Sequence, residues 1–294
     1  MKPAPTIKLS NAHKQPETLA KFLQAGFEQE LYASAFQNLA NLNNKLRFNN
    51  FAYAIRELIR HILNRLAPTE SVIKCSWYRD NTMKANSPTR RQRAYYAVQG
   101  GLSDEYVKNT LHIETATTHS YLLKAIDNLN KFTHIEPDVF GLSEAEVAEQ
   151  SQITKKAMED LFSTIQVCRQ EIITALSEQI DAKVIDEALR ETLMAIDEVA
   201  THHSIEEIYT HLITIADITH DEIIFKATGS IAVELRWGSD SDVSRYDGAV
   251  TPNSFPFTCY LRSPVDEPAA IEMPEDGLLV DTSTWWAGYY DEVN

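Results

Sequence analysis

The sequence predicts an α+β protein in which a helical amino-terminal two-thirds is followed by a small, mainly antiparallel β domain. Apolar residues recur every three or four positions up to about residue 200, as in helices with one buried face. After residue 205 they alternate with polar residues, as in half-buried strands. Helices that precede strands, instead of alternating with them, favour an α+β fold over a doubly wound sheet.

Four helices are predicted in the first part of the chain, over Glu17–Ala40, Phe48–Leu66, Thr89–Gln99 and Thr117–Thr133. The second has the clearest apolar stripe, at Phe48, Phe51, Ala52, Ile55, Leu58, Ile59, Ile62 and Leu66. Pro68 prevents its continuation, and Gly100 permits the left-handed conformation that ends the third helix. The fourth helix is expected to bury Tyr121, Leu122, Ala125, Ile126 and Leu129.

The second part of the chain begins with a long helical stretch. Ser143 and Glu146 have the spacing of a capping box, which predicts a helix from there to about Ile180 and another over Val184–Ala200. Strands are predicted at Ile231–Trp237 and Phe255–Leu261, and a shorter one before a turn at Thr228-Gly229. We therefore expect a basic helical domain at residues 15–142, and long helices with an acidic antiparallel β domain at residues 143–290.

The charge is divided by position along the chain. Residues 1–135 carry 18 Lys+Arg against 10 Asp+Glu, whereas residues 136–294 carry 9 against 32. A positive surface attracts polyanions, so nucleic acid is the expected partner of the first part. No apolar run approaches the roughly 18 residues that cross a bilayer, and Cys75, Cys168 and Cys259 are too scattered for a disulfide framework. We expect a cytoplasmic protein without a membrane partner.

The first candidate site is the Arg56–His61 pair on the second helix. An arginine that holds a phosphate and a histidine that moves a proton suffice for metal-independent RNA cleavage. This R-x4-H spacing resembles the catalytic motif of the HEPN ribonuclease superfamily, whose folds are helical bundles. Five positions on a continuous helix, however, place two side chains about 140° apart. The alternative is a solvated helix face on which Glu57 pairs with His61.

The second candidate site is a polar stripe on the fourth helix, formed by Lys124, Asp127, Lys131 and His134. A histidine at a helix end between basic residues can act as an acid or base, or contact a phosphate. We therefore take His134 as a candidate catalytic residue and Lys131 as a candidate nucleic-acid contact. The alternative is a solvated face with an Asp127–Lys131 pair.

The third candidate is a run of basic and aromatic residues between positions 74 and 96. Basic side chains contact phosphates, and aromatic rings stack on unpaired bases. The candidate nucleic-acid contacts are Lys74, Arg79, Arg90, Arg91 and Arg93, with Lys84 between them and the rings of Trp77, Tyr78, Tyr95 and Tyr96 nearby. The alternative places the aromatic rings in the core and leaves the arginines as surface charges.

The segment Gly238–Gly248 contains three aspartates and superficially resembles a calcium loop. Its glycine and its terminal position do not match the EF-hand pattern, so a turn that connects two strands is favoured. His202-His203 is a further candidate for metal binding. Neither pattern predicts a defined metal site, and the sequence leaves the cofactor open.

Several stretches together resemble the predicted pPIWI-associating nucleases, a bacterial family linked to Argonaute-type defence systems. The similar stretches are Arg47–Leu58, Cys75–Tyr78, Ala97–Glu105, Leu129–His134, Ala200–Ser204, Ala227–Ser230 and Trp237–Asp242. The resemblance implies phosphodiester cleavage of RNA or DNA in a prokaryotic defence system, with a partner protein from that system, but it implies no catalytic residues. The alternative is a non-catalytic nucleic-acid-binding or adaptor module. The oligomeric state is left open.

Overall fold

The computed structural model describes residues 22–80, 85–190 and 194–291 and confirms the α+β class. The helices are α1 (Phe27–Ala40), α2 (Arg47–Leu66), α3 (Thr69–Val72), α4 (Arg90–Gln99), α5 (Thr115–Thr133), α6 (Glu144–Arg190), α7 (Met194–Asp197), α8 (Asp240–Ser244) and α9 (Ser283–Asp291), with a π-helical turn at Tyr106–Thr110. The strands are β1 (His202–Ile218), β2 (Glu222–Trp237), β3 (Ala249–Pro264) and β4 (Leu278–Val280). The first helix was predicted from Glu17, and that start is wrong for the described residues 22–26, which form turns before α1 begins at Phe27. Residues 17–21 lie outside the described residues.

The chain forms two compact units whose boundary falls between Cys168 and Arg169, inside α6. The domain boundary that the sequence predicted, between residues 142 and 143, stays a prediction. In the part of the chain that the structure describes, no helix is both long enough and apolar enough to span a membrane.

Helix α2 is the centre of the first unit and packs against α1, α4 and α5. Its predicted stripe is confirmed, because Phe48, Phe51, Ile55, Leu58 and Ile62 are all buried. Burial of such side chains contributes roughly 1.5–3 kcal/mol each and fixes which face of α2 points outward.

Helix α4 begins where the sequence predicted, and a local hydrogen-bond pattern explains why. The Thr89 hydroxyl accepts from the Gln92 amide nitrogen (3.2 Å), and the Gln92 side chain accepts from the Thr89 amide (2.8 Å). This capping box satisfies two amides that have no partner within the helix. The short helix α3 at Thr69–Val72 directly follows Pro68 and is not among the four helices that the sequence predicted for this part of the chain.

Helix α5 buries its stripe as predicted with one exception. Leu122, Ala125, Ile126 and Leu129 are buried, but Tyr121 is 57% exposed. Tyr121 lies at the edge of the buried stripe, and the Lys124 ammonium is 6.0 Å from its ring centroid. The prediction that Tyr121 points inward was therefore wrong.

Helix α6 is longer than predicted. Its start is confirmed, since the Glu146 carboxylate accepts from the Ser143 amide at 2.8 Å. The expected break between residues 180 and 184 is absent, and α6 runs without interruption to Arg190. The reason is that Ile172, Leu176, Ile180, Val184 and Ala188 continue one buried stripe at four-residue spacing through that point. Of the predicted helix over Val184–Ala200, residues 191–193 lie outside the described residues.

The sheet of the second unit is antiparallel throughout, with the strand order β1-β2-β3-β4. The predicted alternation in β2 and β3 is confirmed, because Ile231, Val233, Phe255 and Phe257 are buried. Strand β1 lies at the edge, and three register shifts interrupt its pairing with β2. Such bulges discourage edge-to-edge association.

The predicted turn at Thr228-Gly229 is wrong, because both residues lie in the middle of β2. Gly229 pairs with Thr210 on one side and Phe257 on the other. A Cβ atom at this position would lie 1.9 Å from the Tyr209 carbonyl oxygen and 2.6 Å from the Phe257 ring. The glycine therefore permits a close approach between strands instead of a turn.

Candidate nucleic-acid interface

Four arginines from two helices line one pocket in the first unit. Arg56 and Arg60 come from α2, and Arg90 and Arg93 come from α4. Within each helix the two arginines are three or four positions apart, which places them on the same face. The packing of α2 against α4 brings the two pairs around a cavity of about 150 Å³.

The floor of this arginine pocket is apolar. Ile59 and Leu63 of α2, Ile126 of α5 and Pro88 contribute to it, and all four are buried. Asn64 completes the lining. Among the described residues that line the pocket, none is a histidine, an aspartate or a glutamate. The pocket therefore combines positive charge with an apolar surface and without an acidic side chain in its wall.

Arg93 is fixed in place by the backbone beneath it. Its guanidinium donates to the Ala67 carbonyl oxygen and, at 2.8 Å, to the Thr69 hydroxyl. Burial lowers the pKa of Arg93, and the nearby Glu70 carboxylate opposes that change. A guanidinium keeps its charge in proteins, so Arg93 is a preoriented positive group.

Arg56 and Arg60 share a single carboxylate, that of Glu57. Arg56 Nη2 is 2.9 Å and Arg60 Nε is 2.8 Å from the Glu57 oxygens. Burial alone would raise the pKa of Glu57, but the hydrogen bonds from Arg60 and Arg56 outweigh it and lower that pKa. Two guanidinium groups against one carboxylate leave a net positive charge at this side of the pocket.

Arg90 is the least engaged of the four arginines. It is exposed at the first position of α4. In residues 22–80, 85–190 and 194–291 it makes no hydrogen bond or ion pair. A positive charge near a helix start is mildly unfavourable, and nothing in the described contacts offsets that cost for Arg90.

The remaining predicted nucleic-acid contacts lie outside this pocket. Arg79 donates to the carbonyl oxygens of Ser76 and Tyr78 at 2.9 and 2.7 Å. The Arg91 guanidinium lies 5.6 Å from the centroid of the Tyr95 ring. Lys74 and Lys131 are exposed. Lys84 lies outside the described residues.

The aromatic rings between positions 74 and 96 pack mainly in the core and not on the surface. Tyr96 is 8% exposed and belongs to a cluster with Ala67, Val72 and Cys75, against which Trp77 and Tyr78 pack. The Trp77 indole also donates to the Gly100 carbonyl oxygen at 3.1 Å. For these rings the structure supports the core interpretation that the sequence left open.

His61 lies away from the arginine pocket and does not line it. Its Nδ1 is 3.1 Å from Glu28 Oε1. Arg65 donates to both Glu28 oxygens, at 2.7 and 2.9 Å, and the Gln24 amide donates at 2.7 Å. The expected Glu57–His61 pair is wrong, because Glu57 binds the two arginines of α2. Sequence reasoning missed this Glu28 cluster, since its members are distant along the chain.

His134 directly follows α5 and is exposed. The preceding residue, Thr133, accepts a hydrogen bond from Arg56 Nη1 at 3.2 Å. Arg56 thus connects the arginine pocket with the end of α5, whereas His61 has no such connection. Of the three predicted catalytic residues, Arg56 contacts Thr133, the residue before His134, whereas His61 contacts Glu28.

The second unit has a broader pocket of about 500 Å³ at one end of the sheet. It is lined by His202, His203, Ser204, Glu234, Arg236, Gly238, Ser239 and Asp240. Arg236 pairs with Asp240 and, at 3.2 Å, with Glu234, and His203 Nδ1 is 2.9 Å from Asp197. The segment after Gly238 forms α8, whose start is capped by Ser239 and Asp242.

The same acidic and histidine residues were the candidates for metal binding. Where the structure describes the chain, no three His, Cys, Asp or Glu side chains are grouped as a metal ion would require. Asp242 instead accepts from the Ser239 hydroxyl at 2.7 Å and from the Ser239 amide at 2.8 Å, and these two hydrogen bonds hold its pKa below the usual value.

The chain is thus an α+β protein whose first, helical unit contains a pocket lined by four arginines. Two family models, both described as predicted pPIWI-associating nuclease, match residues 20–161 and 165–286. The chain belongs to this family, and the two matches correspond closely to its two compact units. No curated protein and no solved structure matched the chain.

Proposed function

We propose that the protein is a nuclease that binds RNA or DNA through the arginine pocket and cleaves phosphodiester bonds in a prokaryotic defence system. The observation that carries this proposal is the convergence of Arg56, Arg60, Arg90 and Arg93 on one pocket whose described lining contains no acidic side chain. Guanidinium groups bind phosphate oxygens in pairs and with defined geometry. Membership of the nuclease family supports the same chemistry.

The four arginines have different parts in this proposal. Arg93 is held by the backbone and presents a fixed charge, whereas Arg90 makes no hydrogen bond within the described part of the chain and would direct its donors to a ligand. Arg56 and Arg60 each bind Glu57 through one nitrogen, and their other N–H groups would bind a phosphate. Lys74, Arg79, Arg91 and Lys131 would contact neighbouring phosphates along the strand, since charged surface residues mainly position a nucleic acid.

For proton transfer we propose His134 before His61. His134 is exposed and adjoins Thr133, which Arg56 contacts directly. His61 is engaged with Glu28 at 3.1 Å and lies on another face of α2. A histidine that already serves a buried carboxylate is less available to a substrate than an exposed one.

The second candidate function is a non-catalytic nucleic-acid-binding or adaptor module. It is favoured by one observation: the described wall of the arginine pocket holds no side chain that commonly transfers protons at neutral pH. In that case the acidic second unit would dock a partner protein of the defence system. Under either proposal the protein would act in the cytoplasm.

The test is cleavage of end-labelled single-stranded RNA and DNA in EDTA, Mg²⁺ or Mn²⁺. The variants are Arg90→Ala, His134→Ala and His61→Ala, each first shown to be folded by circular dichroism. Lys156→Ala is the matched control, because Lys156 is a 70%-exposed cation of the same unit. Cleavage in EDTA that is lost in His134→Ala and kept in His61→Ala supports the proposal.

Other outcomes redirect or reject the proposal. Cleavage that requires Mg²⁺ or Mn²⁺ would move the catalytic role to carboxylates. Cleavage that both histidine variants retain would remove histidine from the mechanism. Salt-sensitive binding without cleavage would support the binding module, and unchanged binding by Arg90→Ala would reject the arginine pocket as the phosphate site.

A further inference from the structure

We infer that the arginine pocket accepts an unpaired base next to a bound phosphate, so that the substrate is single-stranded nucleic acid. This inference rests on the proposed function, because it specifies the ligand of the same pocket. A site for a phosphate alone and a site that accepts a base need different side chains in the wall of a pocket, and the described residues of this wall favour a base.

The apolar floor is the first argument. Ile59, Leu63, Pro88 and Ile126 would face the ligand from below. A phosphate oxygen against such a surface would lose hydration without gaining a hydrogen bond, which is unfavourable. The face of a base is largely apolar and loses little hydration free energy there. The floor therefore fits a base better than a second phosphate.

The rim is the second argument. A guanidinium is planar, so it can stack on a base as well as bind a phosphate. Arg60 and Arg90 are exposed at the rim, while Arg56 and Arg93 are partly buried. A nucleotide whose base enters the cavity would keep its phosphate at the level of these charges.

Tyr53 lies one turn before Arg56 on α2 and extends the arginine pocket with an exposed ring. Tyr53 is 56% exposed, and the Arg56 guanidinium lies 5.4 Å from its ring centroid. An exposed aromatic face beside a phosphate-binding arginine is the arrangement on which a neighbouring base of a single strand stacks. Tyr53 would thus hold the next base along the strand.

A duplex does not satisfy these features. Its bases are paired and stacked, so that an undistorted duplex offers a protein its phosphates and the base edges in its grooves, but not the faces of its bases. A base would have to leave the stack to enter a concave pocket, which is least costly for a strand that is already single. The pocket therefore selects against duplex without any contact that repels it.

The test measures binding by fluorescence anisotropy in EDTA with three labelled probes of equal length, made of 2′-O-methyl RNA so that metal-independent cleavage does not consume them. They are a single-stranded oligonucleotide, its duplex, and a single strand with abasic positions that keeps every phosphate. We expect the single strand to bind at least about tenfold more tightly than either of the other two probes, in line with the effect of base stacking. Tyr53→Ala should weaken single-strand binding about fivefold or more, whereas Tyr53→Phe should preserve it. Tyr246→Ala is the matched control, because Tyr246 is a 96%-exposed tyrosine of the second unit.

The outcomes separate this inference from the proposed function. Equal binding of the single strand, the duplex and the abasic strand, with sensitivity to Arg90→Ala, would overturn the inference and leave a phosphate site in place. Tyr53→Ala without effect, while Arg90→Ala weakens binding, would remove the stacking role of Tyr53. If no probe binds, the inference and the nucleic-acid proposal both fall.

Discussion

The substitution Glu28→Gln tests whether the Glu28 cluster is a structural element that engages His61. Glu28 is 1% exposed, and its carboxylate accepts from Arg65, the Gln24 amide and the His61 ring. Removing its charge leaves the Arg65 guanidinium without its counter-charge. Breaking a buried ion pair costs about 3–5 kcal/mol, and we expect about 2–3 kcal/mol here because Arg65 is partly hydrated.

The pH dependence gives this prediction a second readout. Burial alone would raise the pKa of Glu28, but the hydrogen bonds from Arg65, Gln24 and His61 outweigh it and lower that pKa. A lowered carboxyl pKa stabilises the folded state at pH values above the unfolded value of about 4.3. This contribution is lost as the pH falls through the folded pKa. The difference between wild type and Glu28→Gln should therefore shrink as the pH is lowered below about 4.

The assay is equilibrium urea unfolding followed by circular dichroism, at pH 7 and at several lower values. His61→Ala is measured in parallel and should cost only about 0.5–1.5 kcal/mol, because it removes one hydrogen bond from a half-exposed ring. A loss below about 0.5 kcal/mol for Glu28→Gln at pH 7 would refute the ion-pair argument. Nuclease activity that depends on His61 but not on Glu28 would show that His61 acts outside this cluster.

Three further predictions concern single positions. Gly229→Ala should lower the free energy of unfolding by about 3 kcal/mol or more, since the added Cβ would collide with the Tyr209 carbonyl oxygen; a urea-unfolding loss no greater than that of Ser230→Ala would contradict this. Burial lowers the pKa of His119 to about 4, so an NMR titration should find its ring neutral at pH 5.5, and a midpoint near 6.5 would count against the buried placement. Burial raises the pKa of Cys259 to about 11, so a disulfide reagent should modify this thiol only after unfolding, and rapid labelling of the native protein would be inconsistent with it.

The excess of positive charge is smaller in the first folded unit than in residues 1–135. Residues 1–168, which form the first unit, carry 20 Lys+Arg against 17 Asp+Glu, and residues 169–294 carry 7 against 25. The first unit is therefore only slightly basic as a whole. What distinguishes it is the local concentration of four arginines around one pocket. Local fields of this kind, more than net charge, govern where a polyanion binds.

The sequence alone determined the class of the fold and most of its elements, because these follow from local signals. The stripe of α2, the cap of α4 at Thr89 and the alternation in β2 and β3 each depend on residues that are close in sequence. The same holds for Arg56, Arg90 and Arg93 as basic candidates, since their residue types and helical positions are visible in the chain. The membership of the family could also be inferred from short stretches of sequence.

Only the tertiary structure decided which candidates share a site. Arg56 and Arg90 meet because α2 packs against α4, and sequence spacing does not contain that contact. His61 is engaged by Glu28, a residue on another helix, so its local Glu57 neighbour gave the wrong pair. The sequence predicted a turn at Gly229 because glycine is common in turns. The residue lies instead in the middle of β2, where the neighbouring strands leave no room for a side chain. In each case the arrangement is stabilised by contacts between residues that are distant in sequence, and local propensity contains no information about such contacts.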